Sequence, residues 1–175
     1  MIESSVGDIN LRDIIIQYNE KVIHALGIDE SVIHNEIFLT ETGEPIICEI
    51  AARPGGHMLC DMVRLMHGVD LRAESFGLQL GHSFSKTTLT EPKCHLASLL
   101  AYGQSEHLGI IQEIKVKENP NGHLFCQRVK NGEKSHMLIM SGDYLFALVA
   151  SGETPNLAME NVQKAYGDSQ VRLAP

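Results

Sequence analysis

The chain has 175 residues, of which 43% are hydrophobic and 21% charged, and a net charge of −8. That length suits one domain, or one with a small appendage, and supplies enough apolar side chains for a core without disulfides. The acidic balance and the lack of any Lys/Arg-rich run exclude the electrostatic footprint of a nucleic-acid binder, and no apolar stretch reaches the length a bilayer requires.

In chain order, Leu11, Ile14, Ile15, Tyr18, Val22, Ile23 and Leu26 recur at three- and four-residue steps. The spacing predicts an amphipathic helix over 10–26, stopped by Gly27. Two apolar-rich runs, 32–39 and 46–52, flank the turn-forming residues 40–45 and predict a β-hairpin. After Arg53-Pro54-Gly55-Gly56 the pattern turns helical, with Met58, Leu59, Met62, Val63, Leu65 and Met66 leading to His67-Gly68. A further helix is expected over 70–80, closed by Gly81. The polar stretch 83–92 reads as a linker. Beyond it, strand-like runs at 94–102, 110–117, 123–129 and 144–150 are separated by Gly, Asn and Pro, and a last helix after Ser151 carries Leu157, Val162 and Ala165 on one face. The expected fold class is therefore α+β: a first part over 1–82, the linker, and a β-rich lobe with a terminal helix over 93–175.

The four cysteines, Cys48, Cys60, Cys94 and Cys126, lie singly in apolar segments with no C-x-x-C pair. They read as small buried hydrophobes in a reduced setting. The first ten residues lack the basic-then-apolar layout of a signal peptide, so a cytoplasmic location is expected.

Chemistry concentrates in the hairpin. A loop centred on Thr42-Gly43 sets residues whose numbers sum to 85 opposite one another, pairing Phe38 with Ile47, Glu36 with Glu49 and His34 with Ala51. Alternation then gathers Ile33, Ile37, Leu39, Ile46, Cys48 and Ile50 on one face, interrupted by Asn35, and His34, Glu36, Glu49 and Arg53 on the other. A slip of one residue would mix the two sets. Opposed residues have Cβ atoms about 4.5–5.5 Å apart, where like charges repel. Two carboxylates so placed share a proton, meet a cation or hold a metal. Magnesium takes one or two carboxylates together with water and phosphates, which suits Glu36 and Glu49. Arg53 offers a planar fork for phosphate or carboxylate oxygens, and Gly55-Gly56 opens a helix whose first amides suit an anion. These are parts for phosphoryl transfer. The competing reading is a solvated glutamate pair, or one neutralised by Arg53.

The run from His34 to Gly56, H-N-E-I-F-L-T-E-T-G-E-P-I-I-C-E-I-A-A-R-P-G-G, resembles the metal-binding segment of ATP-grasp enzymes. It is most similar to those related to biotin carboxylase, carbamoyl-phosphate synthetase and bacterial amino-acid ligases. The pattern there is roughly H-x-E, a strand, a turn with Gly, then E-x-N-x-R-x-G-G. The resemblance implies that Glu36 and Glu49 hold Mg²⁺ (or Mn²⁺) on the phosphates of ATP. It implies that Arg53 stabilises the transferred phosphoryl group, and that Gly55 and Gly56 lie along the substrate pocket. Ala51 stands where the family often has a metal-ligating Asn, a departure shared by the amino-acid ligase branch. The helix before the hairpin, H-G-V-D-L at 67–71, G-x-x-x-G at 77–81 and F-A-L-V-A-S-G-E-T-P-N-L-A at 146–158 extend the likeness.

The reaction implied is an ATP- and Mg-dependent carboxylate–amine, or carboxylate–thiol, ligation through an acyl phosphate. Its partners would be ATP and a small carboxylate or amine, with neither nucleic acid nor membrane involved. The segments carrying the phosphate-binding lysines and the adenine hinge precede this one in the family. The chain is therefore expected to be a carboxyl-terminal portion: a fragment, a noncatalytic assembly module, or a subunit completed by a partner or by oligomerisation. His57, just after the double glycine, is a candidate substrate contact, and His34 a candidate polar neighbour of the metal. No H-x-x-x-H or Cys/His spacing supports a zinc site.

Overall fold

A chain that switches from helical to strand periodicity and back must bury each apolar face against a neighbour. The computed structural model describes residues 2–4, 9–83, 94–103, 108–116, 122–135, 137, 139, 140 and 142–174, with the backbone alone at 2–4, 9 and 122–125. The elements run β1 (Ile2–Ser4), α1 (Ile9–Ala25), β2 (His34–Leu39), β3 (Pro45–Ala51), α2 (Leu59–His67), α3 (Leu71–Gln79), β4 (His95–Tyr102), β5 (Ile111–Lys115), β6 (Gly122–Gln127), β7 (Tyr144–Gly152), α4 (Pro155–Gly167) and β8 (Gln170–Leu173). Most of the polar stretch expected as a linker, 84–92, lies outside the described residues. The fold is α+β, as the sequence predicts, and it divides into two compact units.

One unit comprises α1, the β2–β3 hairpin, α2 and α3. α1 turns Leu11, Ile15, Tyr18, Val22 and Ile23 partly inward, while Ile14 and Leu26 of the expected apolar face stay exposed. The Tyr18 hydroxyl accepts a hydrogen bond from the Ile47 amide (3.2 Å), fixing helix to hairpin. Asn19 and Asn35 pair through their side-chain amides, so the polar interruption on the inner face meets a polar partner on α1. Met58, Cys60 and Met62 are buried, along with Val32 and Val69. Asp70 caps α3 by accepting from the amides of Arg72 and Ala73. The Arg72 guanidinium then grips Asp61 of α2 with two bonds, 3.0 and 3.2 Å.

The other unit contains an antiparallel sheet of order β1-β4-β7-β6, a β5–β8 pair and α4. β4 and β7 are buried along nearly their whole length, which is why they read as continuous apolar runs rather than alternation. Thr154 caps α4 by accepting from the Leu157 amide, with Pro155 in the first turn. The helix presses Ala158, Val162 and Ala165 into the core. Leu157, expected on that face, is instead partly exposed. The reason is a close approach at Gly152, where a Cβ would stand 2.4 Å from the Ala158 nitrogen. That proximity turns residue 158, with its small side chain, to the strand. β1 and β8 are additional to the predicted elements.

Candidate functional site

The hairpin register keeps the carboxylates together. His34 pairs with Ala51, Asn35 with Ile50 and Glu36 with Glu49, and then the register shifts. Ile37 meets Ile47, Phe38 meets Ile46 and Leu39 meets Pro45, so Phe38 does not pair with Ile47 as the uniform register required. Cys48 is the extra, unpaired residue of a β-bulge. Ile47 is thereby carried to the face of Ile37 and becomes half-buried, whereas Leu39, Ile46 and Cys48, expected inside, are exposed. Of the four cysteines, Cys48 alone among them is exposed.

Glu36 and Glu49 are both exposed. His34 Nε2 lies 3.3 Å from Glu36 Oε1. Among the described residues nothing bonds the Glu49 carboxylate. Arg53 lies just past the end of β3 rather than on it, and its Nη1 donates to the Pro54 carbonyl at 3.0 Å. It forms no ion pair with either glutamate among the described residues, so the reading in which Arg53 neutralises the pair is not the arrangement found.

The Arg53-Pro54-Gly55-Gly56 turn brings the chain back to β2. A Cβ at Gly55 would come within 3.1 Å of His34 Nδ1 and 2.9 Å of Leu59 Cδ1, so only glycine fits without displacement. The Cys60 thiol donates to the Gly55 carbonyl at 3.3 Å. Burial pushes the Cys60 thiol pKa up, with Arg72 opposing that shift. Gly56 faces open space. His57 is half-buried in a left-handed conformation (φ 50°). No side chain caps α2, so its first amides are left to other acceptors.

Among the described residues no group of three or more His, Cys, Asp or Glu could hold a metal alone. Two opposed carboxylates with no Lys or Arg paired to them among the described residues nevertheless fit a hard ion that completes its shell with water and phosphate oxygens. The links from Cys60 to Gly55 and from Gly55 to His34 lie beyond sequence spacing, because they depend on where the turn returns the chain.

No protein-family model matches this sequence, and no curated protein matches it. Solved structures do. Phosphoribosylglycinamide synthetase from Anaerococcus prevotii superposes with a TM-score of 0.84 at 13% identity, over 99% of this chain and 45% of that one. L-amino acid ligase from Bacillus licheniformis gives 0.82 at 16% identity, over 99% and 44%. Biotin carboxylase from Campylobacter jejuni gives 0.75 at 14% identity, over 98% and 39%. The chain thus spans less than half the length of each of these proteins. No helix among the described residues is long and apolar enough to cross a membrane. What the likeness establishes is architecture: the chain has the ATP-grasp fold, of which it spans the part that these proteins share with it.

Proposed function

We propose that this chain belongs to an ATP-dependent ligase that joins a carboxylate to an amine through an acyl phosphate, and that it contributes the cation and phosphoryl side of the site. The observation that carries the reading is the opposition of Glu36 and Glu49 across the hairpin, with no Lys or Arg paired to either among the described residues. Glu36 and Glu49 hold Mg²⁺ (or Mn²⁺), which when bound neutralises charge on the ATP phosphates. Arg53 presents its guanidinium to the phosphoryl oxygens. A substrate carboxylate oxygen attacks the γ-phosphorus and the bond to the β,γ-bridging oxygen breaks, releasing ADP. The amine nitrogen then attacks the acyl carbon, inorganic phosphate leaves, and the amine gives up a proton. Gly55 and Gly56 lie along the substrate side of the site, where Gly56 faces open space, and His57 lies next to them.

Titration calorimetry of the chain with ATP, with and without Mg²⁺, tests this. Metal-dependent heat that disappears in the Glu36→Ala/Glu49→Ala double variant is expected. Equal binding by the variant sinks the assignment.

A second reading has its own support. Phe38 and Ile46 stand opposite each other and are 64% and 52% exposed, an apolar surface of the kind another polypeptide covers. Here the chain is one subunit of a divided ligase or a noncatalytic assembly module. A chain that binds no Mg·ATP alone but gains binding with a complementary subunit supports the divided enzyme.

A further inference from the structure

One side chain joins the carboxylate pair to the glycine turn. His34 Nε2 lies 3.3 Å from Glu36 Oε1. A carboxylate oxygen can only accept, so the proton of this bond sits on Nε2. The opposite edge of the ring faces the turn, where the Cβ position of Gly55 lies 3.1 Å from Nδ1. Gly55 is itself fixed, because its carbonyl accepts from Cys60 (3.3 Å), a residue 1% exposed. The His34 side chain is 20% exposed and that of Glu36 54%. The imidazole is therefore the held partner and the carboxylate the one with rotameric freedom to lose.

We infer that His34 is a positioning residue for Glu36, and that it takes its own orientation from Gly55. The inference rests on the reading of Glu36 as a cation-holding carboxylate. It assigns His34 a different role from that of ligand, since a protonated Nε2 has no lone pair for a metal and Nδ1 is turned to the backbone. A ligating carboxylate oriented by a hydrogen bond loses affinity for its ion, by about 10- to 100-fold, when that bond is removed. The requirement for glycine at position 55 follows from the same contact. An alanine methyl pushes the ring off Glu36, with Leu59 Cδ1 at 2.9 Å closing the other side.

The test is Mn²⁺ binding in the presence of ATP, read by water-proton relaxation. His34→Ala is expected to weaken it about tenfold. His34→Gln, whose amide nitrogen can donate from a similar place, restores most of the loss, and Gly55→Ala weakens binding with His34 and Glu36 both present. The imidazole ¹⁵N shifts of His34 give an independent reading: an Nε2–H tautomer in the wild type, altered in Gly55→Ala. Circular dichroism verifies that each variant is folded, and the Ala and Gln variants keep the test decisive should Gly55→Ala not fold. Wild-type binding matched by His34→Ala overturns the positioning role and leaves the cation reading standing. An Nδ1–H tautomer overturns it as well. No Mn²⁺ binding by the wild type overturns both readings together.

Discussion

Glu36 and Glu49 occupy directly opposed positions on the antiparallel hairpin, on the carboxylate-bearing side of the bulge. Like charges so placed destabilise the strand pair by about 0.2–1 kcal/mol. Glu49→Gln should therefore raise the stability of the metal-free protein by about 0.5 kcal/mol, measured as a higher urea midpoint at unchanged slope. With Mg²⁺ and ATP present the order should reverse, because the wild type alone retains both carboxylates. A variant less stable than wild type in the absence of metal would contradict the repulsion.

Gly152 ends β7 where α4 crosses it. A Cβ there meets backbone at 2.4 Å (Ala158 N) and 2.7 Å (Leu157 C), and backbone cannot turn aside as a side chain can. Gly152→Ala should cost about 3 kcal/mol, the upper end of ordinary overpacking. Denaturant unfolding of the two proteins measures it, and a loss below about 1 kcal/mol would mean that the helix shifts freely.

The cysteines separate by environment. Cys48 is exposed on the bulge and Cys60 is buried beneath the glycine turn. Iodoacetamide should label Cys48 in the native protein and Cys60 only on unfolding, as peptide mapping would show. The raised pKa of Cys60 has a defined sign in stability. Its contribution is complete below the unfolded thiol value of 9.0 and is lost as pH rises from there through the higher folded value. The fall in stability above pH 9.0 should be shallower in Cys60→Ala, and an identical slope in both proteins would refute the linkage.

Much of this architecture is legible in residue order. Alternation around Thr42-Gly43 gives the hairpin and sets Glu36 against Glu49, since a slip at that end would mix apolar and charged faces. The same alternation misplaces Ile46 and Ile47, because a bulge adds a residue without a distinctive side chain to announce it. β1 and β8, at three and four residues, are too short for periodicity to register. Leu157 fits an apolar helix face by spacing, but the contact between Gly152 and Ala158 sets the rotation of α4, and that is long-range information. The H-x-E spacing puts His34 on the same face as Glu36, while its contact with Gly55 appears only once the turn folds back. Asn35 shows in sequence as an interruption, and its partner Asn19 is 16 residues away on α1.

The extra residue at Cys48 divides the hairpin into two segments that need not keep step. In an unbroken ladder, gaining or losing one residue at the tip rotates every later side chain to the opposite face. Here the odd residue sits between the tip and the carboxylates, so a change in loop length can be absorbed by moving or erasing the bulge, leaving Glu36 and Glu49 in opposition. The tip is thus insulated from the acidic pair, which stays in place when a residue is gained or lost there.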